Sequence, residues 1–130
     1  MQALFAALLV AVSAGKDQAL HLYELNPKTG ALVQRAKYDL PGSPGSQCVS
    51  PDGNTLYVSV RSANSVAAFR IDHGMKTLVP LGITEIGANA AYVATDRTGR
   101  TLLWASYSDG VVGSHAIGRN GAVIKNPLSL

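Results

Sequence analysis

Four side chains in this sequence have the type and setting to meet a small polar ligand: Arg61, Asn89, Tyr92 and Tyr107. Arg61 follows an apolar run, residues 56–60, and opens the polar turn Arg61-Ser62-Ala63-Asn64. A guanidinium presents a planar fork of donors that suits a carboxylate or a phosphate. In such a turn it equally suits pairing with a neighbouring structural unit. Tyr107 heads a similar turn 46 residues later, Tyr107-Ser108-Asp109-Gly110. Asn89 and Tyr92 flank the start of another apolar segment. Ligand contact is one reading of this pair; turn chemistry for Asn89 and packing for Tyr92 is the other. Asp109-Gly110 is a hairpin turn first and a ligand group second.

The remaining inventory of reactive groups assigns no catalytic residue, no metal ligand and no cofactor. The sequence has no Gly-x-Ser-x-Gly elbow, no His-Glu-x-x-His pair, no phosphate loop and no dinucleotide fingerprint. His21, His73 and His115 fall at unrelated places in the repeat described below, so a shared metal ion is not expected. Asp52, Asp72 and Asp96 lie at or beside turns, where bonds from carboxylate to backbone explain them. Cys48 is the single cysteine, so no internal disulfide can form. In an apolar strand it is expected as a small packing residue rather than a nucleophile. The net charge of +3 comes from 11 basic and 8 acidic residues scattered singly, which argues against a nucleic-acid partner. With 47% hydrophobic and 15% charged residues the chain can build a core and is not disordered.

The loops that carry these residues are set by a repeat. Shifting the sequence by 46 places Val12-Ser13 on Val58-Ser59, Leu25 on Ile71 and then Ile117, Leu32-Val33 on Leu78-Val79, Gly53 on Gly99, and Thr55-Leu56 on Thr101-Leu102. The best-covered unit reads as four short strands, residues 47–50, 56–60, 65–71 and 78–84. Pro51-Asp52-Gly53-Asn54 supplies turn chemistry between the first two, and residues 61–64 turn between the second and third. Four strands per unit at this period predict an all-β fold, a β-propeller of about 2.8 four-stranded blades of 46 residues. The blade units are approximately 1–40, 41–86 and 87–130, forming one partial propeller domain. The fourth strand of the third unit is expected to begin only at Asn126-Pro127-Leu128-Ser129-Leu130.

In an up-and-down blade, the loop entering the first strand lies at the same end as the loop joining the second and third. That end gathers residues 15–18, 41–45, 61–64, 87–91 and 107–110 on one rim, where propeller ligands meet loops held by a rigid scaffold. Arg61, Asn89, Tyr92 and Tyr107 are therefore the substrate-rim candidates. Propellers close with four to eight blades. Fewer than three blades leave edges and apolar faces open, so the chain is expected to be a fragment or to self-associate through those edges. The N-terminal residues 1–14 suit either a secretory signal-like segment or a first strand, with a short helix over 3–9 as a further reading. The strand reading goes with a cytoplasmic protein and the signal reading with a secreted or periplasmic one. The apolar run is too short to span a membrane, and no membrane partner is expected.

The string PGSPGSQCVSPDGNTLYVSVRSANSVAAFRID, together with LHLYELNPKTGAL, ANAAYVATDRTGRTLLWASYSDG and IGRNGAV, resembles the lactonase family of seven-bladed propellers. This is the 6-phosphogluconolactonase type, related to the carboxymuconate cyclases, and the resemblance covers roughly residues 10–125. It implies that the complete protein hydrolyses a small-molecule sugar lactone at the channel mouth, by an activated water and cationic stabilisation of the developing oxyanion. In the family, charged residues implicated in catalysis lie in a His-containing segment beyond the position of Gly121 and in later blades. No residue of this chain matches them, so the chain alone is expected to be inactive. A non-catalytic propeller module that binds a partner or closes a ring by self-assembly is the alternative.

Overall fold

The computed structural model describes residues 8–130, and eleven strands are arranged in three antiparallel sheets. The first sheet holds β1 (Leu8–Ala14), β2 (Ala19–Leu25) and β3 (Leu32–Asp39). The second holds β4 (Pro44–Val49), β5 (Thr55–Val60), β6 (Ser65–Asp72) and β7 (Thr77–Glu85). The third holds β8 (Tyr92–Thr95), β9 (Thr101–Ser106), β10 (Val111–Ile117) and β11 (Val123–Ser129). Each sheet is a simple meander, the partial propeller that the 46-residue period predicts. β1, β2 and β3 correspond to β5, β6 and β7 one repeat later. A counterpart of β4 is not among the described residues of the first sheet. Residues 8–14, open to the signal-like reading, form β1; the first seven residues of that segment lie outside the described residues.

The middle sheet reads as nearly continuous apolar sequence because both of its faces are covered. Leu56, Val58, Val60, Ala67 and Phe69 pack with Leu20 and Leu22 of the first sheet. The alternate residues Tyr57, Val66 and Ala68 pack with Ala90, Val93, Leu102 and Trp104 of the third. Two hydroxyls at equivalent positions tie the sheets together across this packing. Ser13 Oγ donates to the Gly45 carbonyl at 2.7 Å, and Ser59 Oγ donates to the Ala90 carbonyl at 2.6 Å. The register repeats as finely as the packing. β2–β3 pairing slips after Leu22, and β6–β7 pairing slips after Ala68, its counterpart 46 residues on.

Two sequence expectations need correcting. The fourth strand of the third sheet begins at Val123, not near Asn126. The turn before it is one residue shorter than its counterparts, which slides buried Val123 into the slot that buried Leu78 fills in the second sheet. The innermost strand of the second sheet begins at Pro44 rather than Gln47, with Pro44 opposite Val60. Proline is tolerated at the first residue of a strand, where no ladder donor is lost.

Candidate functional site

The rim loops are fastened to each other by their own backbones. Arg61 N–H donates to the Ser43 carbonyl at 2.8 Å, and Ile86 N–H to the Asn64 carbonyl at 2.9 Å. Residues Arg61–Ala63 form one 3-10 turn, closed by Asn64 in the left-handed region at φ 50°. Gln18 and Gly110 occupy the same place in the other two sheets and share that conformation, at φ 50° and 68°. The local turn thus dictates where position 61 and its counterpart Tyr107 project.

Arg61 is half-buried, and its stem lies across the innermost strand. A Cβ at Gly45 would stand 2.8 Å from Arg61 Cδ, so the side chain uses the space that glycine leaves open. At its far end Arg61 Nε donates to Asn89 Oδ1 at 2.7 Å, and its Cζ lies 5.9 Å from the centroid of the Tyr107 ring. Tyr107 is 78% exposed, so its ring lies on the solvent side of the rim. Asn89 is held from behind, because its backbone N–H donates to Asp109 Oδ2 at 2.9 Å. That bond and the Ser106 hydroxyl, donating to the same oxygen at 3.0 Å, hold the Asp109 carboxyl below the usual carboxylate range. Among the described residues, Arg61 takes part in no ion pair.

Arg61, Asn89 and Tyr107 therefore converge from two adjacent sheets. Tyr92 stands apart from them. It is 63% exposed on β8, opposite Ala105, and lines an open hollow of about 440 Å³ with Leu103, Val112 and Leu130 on the uncovered face of the third sheet. Two features were missed by sequence reasoning: Gly45 as the seat of Arg61, and Asp109 as the clamp on the Asn89 backbone. One repeat earlier the equivalent N–H, of Ser43, is held by Ser62 Oγ at 2.8 Å; the counterpart of Ser62 is Ser108 rather than Asp109, so the repeat gave no sequence signal for this clamp.

The other titratable groups have structural surroundings. Burial pushes the Cys48 thiol up to about 11, which keeps it protonated and a poor nucleophile at neutral pH. Tyr57 is pushed up to about 12, chiefly by burial, and its hydroxyl donates to the Gly121 carbonyl at 2.7 Å. His115 is buried beside Trp104, with Nδ1 2.9 Å from the Ile124 carbonyl, in the aromatic-sized slot that Phe69 fills one repeat earlier. His73 lies at a turn on the opposite end, 2.9 Å from the Gly53 carbonyl. Among the described residues, no group of three His, Cys, Asp or Glu side chains is placed to hold a metal ion.

This geometry can be set beside known proteins. The profile of the family described as "Lactonase, 7-bladed beta-propeller" matches residues 7–127. The chain is 35% identical over 113 residues to the 6-phosphogluconolactonase of Erwinia tasmaniensis, covering 87% of this chain and 34% of that protein. It is 31% identical over 116 residues to the 6-phosphogluconolactonase of Serratia proteamaculans, covering 89% of this chain and 34% of that protein. The chain thus spans about a third of the length of these curated relatives. A crystal structure from Bacteroides fragilis superposes with a TM-score of 0.83 at 22% identity, over 100% of this chain and 38% of the other. The periplasmic gluconolactonase of Pseudomonas aeruginosa superposes with a TM-score of 0.80 at 18% identity, over 95% of this chain and 39% of the other. These two structural likenesses speak to the fold. The family profile, spanning nearly the whole chain, and the sequence relatives go further: the chain belongs to the lactonase family of seven-bladed β-propellers.

Proposed function

We propose that this chain is part of a longer protein that hydrolyses a sugar lactone, with a 6-phosphogluconolactone as substrate, and that the chain alone is inactive. The observation that carries the reading is the family match over residues 7–127 to a family whose sequence relatives are named 6-phosphogluconolactonases. In the reaction a water oxygen bonds to the lactone carbonyl carbon. The ring C–O bond then breaks, and the departing ring oxygen takes up a proton to give the open hydroxy acid. Arg61, Asn89 and Tyr107 are the proposed substrate contacts, whereas Tyr92, the fourth rim candidate, stands on the open face of the third sheet among Leu103, Val112 and Leu130. The convergence of Arg61, Asn89 and Tyr107 favours a site on their shared rim. The groups that activate the water are assigned to blades this chain does not contain. A phosphorylated sugar substrate goes with a cytoplasmic protein; secretion is the alternative if residues 1–14 act as a signal.

Acid release from 6-phosphogluconolactone tests the reading. The protein with its ring complete is expected to hydrolyse it well above the spontaneous rate, and the 130-residue chain alone is not. Turnover at enzyme-like rates by a monomer of the chain would overturn the inactivity proposal. The apolar residues open on the outer sheets favour a second reading, in which copies of the chain assemble into a closed, non-catalytic ring. A discrete closed oligomer in sedimentation supports that reading, and a monomer or an indefinite aggregate counts against it.

A further inference from the structure

We propose that Arg61, seated on Gly45 and held by Asn89 beside Tyr107, is a phosphate-monoester subsite that selects the phosphorylated lactone over the unphosphorylated one; this rests on the lactonase reading above. The Arg61 guanidinium keeps donors to offer a ligand. Its Nε is engaged by Asn89 Oδ1 at 2.7 Å, which fixes the plane of the group and leaves the Nη1–Nη2 edge as a two-pronged donor. Asn89 is a neutral partner, so the positive charge is not cancelled. The one carboxylate in the four rim loops of the second and third sheets, Asp109, is turned to the Asn89 backbone N–H and the Ser106 hydroxyl. Accepting through Oδ1 also sets the Asn89 amide, so that its Nδ2 is a further donor. The Tyr107 ring stands within reach of the cation and limits its sweep.

The repeat provides an internal control on whether this contact merely joins blades. The scaffold contact occurs twice: Ser43 N–H is held by Ser62, and Asn89 N–H is held by Asp109. The contact between two side chains occurs once, because the counterpart of Arg61 in the first sheet is Gly15 and the counterpart of Asn89 in the second is Ser43, whose hydroxyl donates to the Gly15 carbonyl at 3.1 Å instead. The rim between the first and second sheets closes without any cation. The Arg61–Asn89 pair is therefore an addition to the scaffold rather than a requirement of it. A half-buried guanidinium with a free fork and a neutral holder suits a phosphate dianion, with two parallel charge-assisted bonds. An unphosphorylated sugar lactone is neutral and leaves that charge without a counterpart.

The test uses the protein that carries this chain in a complete ring. Two quantities are read: binding of inorganic phosphate by calorimetry, and the ratio of kcat/KM for 6-phosphogluconolactone to that for unphosphorylated gluconolactone. Arg61→Gln is expected to abolish phosphate binding and to lower the ratio on the order of tenfold to a hundredfold. Arg61→Lys keeps the charge without the fork and is expected to fall between. Gly45→Ala is the second variant. Its Cβ displaces only the flexible Arg61 stem, so thermal stability is expected to hold while phosphate affinity falls. Phosphate affinity unchanged in Arg61→Gln would overturn the proposal. Phosphate binding that depends on Arg61 in a protein without lactone turnover would support the subsite and refute the lactonase reading. Lactone turnover whose phosphate preference ignores Arg61 would do the reverse.

Discussion

At the scale of single residues, the same position is filled by different chemistry for the same purpose. In the turn after β4, Thr55 N–H donates to Ser50 Oγ at 3.0 Å, and Asn54 N–H donates to Asp52 Oδ1 at 3.0 Å. One repeat later Asp96 stands in the place of Ser50 and Thr98 in the place of Asp52. Thr101 N–H and Arg100 N–H now both donate to Asp96 Oδ1, at 3.1 and 3.0 Å. Hydroxyl and carboxylate have exchanged seats, and the hydroxyl–carboxylate bond of 2.6 Å is kept in both turns. These aspartates are therefore turn-holders, held below the usual carboxylate range first by that hydroxyl bond. Cys48 is the other residue whose role follows from its surroundings. With its thiol raised to about 11, the thiolate fraction at pH 8 is about one in a thousand. Alkylation of Cys48 in the folded protein at pH 8 is expected to run roughly a hundredfold slower than in the urea-unfolded chain, rising as pH climbs toward 11. Equal rates in the two states would show the thiol to be accessible and unperturbed.

At the scale of elements, the strands and their connecting turns were largely legible, because a pleated strand buried on both faces writes an apolar run and each turn writes its own chemistry. Tyr57 and Val58 show why: neighbours in sequence, they enter two different cores. β11 was placed late because an outer strand such as Val123–Ser129, exposed after its first residue, carries little apolar pattern to mark its start. The Arg61–Asn89 bond was not legible for a different reason. It joins residues 28 apart in sequence, and their side chains meet only after the second and third sheets stack. The left-handed turn position offers a stability test of the repeat itself. Gly110 adopts it freely, whereas exposed Gln18 does so against the clash of its Cβ with the backbone. Gln18→Gly is expected to stabilise the protein by about 0.5–1 kcal/mol once glycine's extra unfolded-state entropy is deducted. Chemical denaturation checks this, and a loss of stability would show that Gln18 makes a contact beyond its turn geometry.

At the scale of the whole molecule, three sheets stack through two interfaces and leave two faces uncovered. Leu8 and Val12 are exposed on the first sheet, and Tyr92, Leu103 and Val112 on the third. Each of these faces is the counterpart of one that is buried in the middle sheet, so each is built to be covered. The 130-residue chain alone is expected to self-associate, which sedimentation would show as a mass above the monomer. A monodisperse monomer with a sharp, reversible thermal transition would contradict this. On the proposed reading ring closure also governs the site, since the rim around Arg61 would be completed by the further blades of a seven-bladed ring. The lactonase reading is tested most directly by the rate of acid release from 6-phosphogluconolactone by the protein that carries this chain in a complete ring. Hydrolysis well above the spontaneous rate is expected, whereas a rate no higher than that of the lactone in buffer would contradict the lactonase reading.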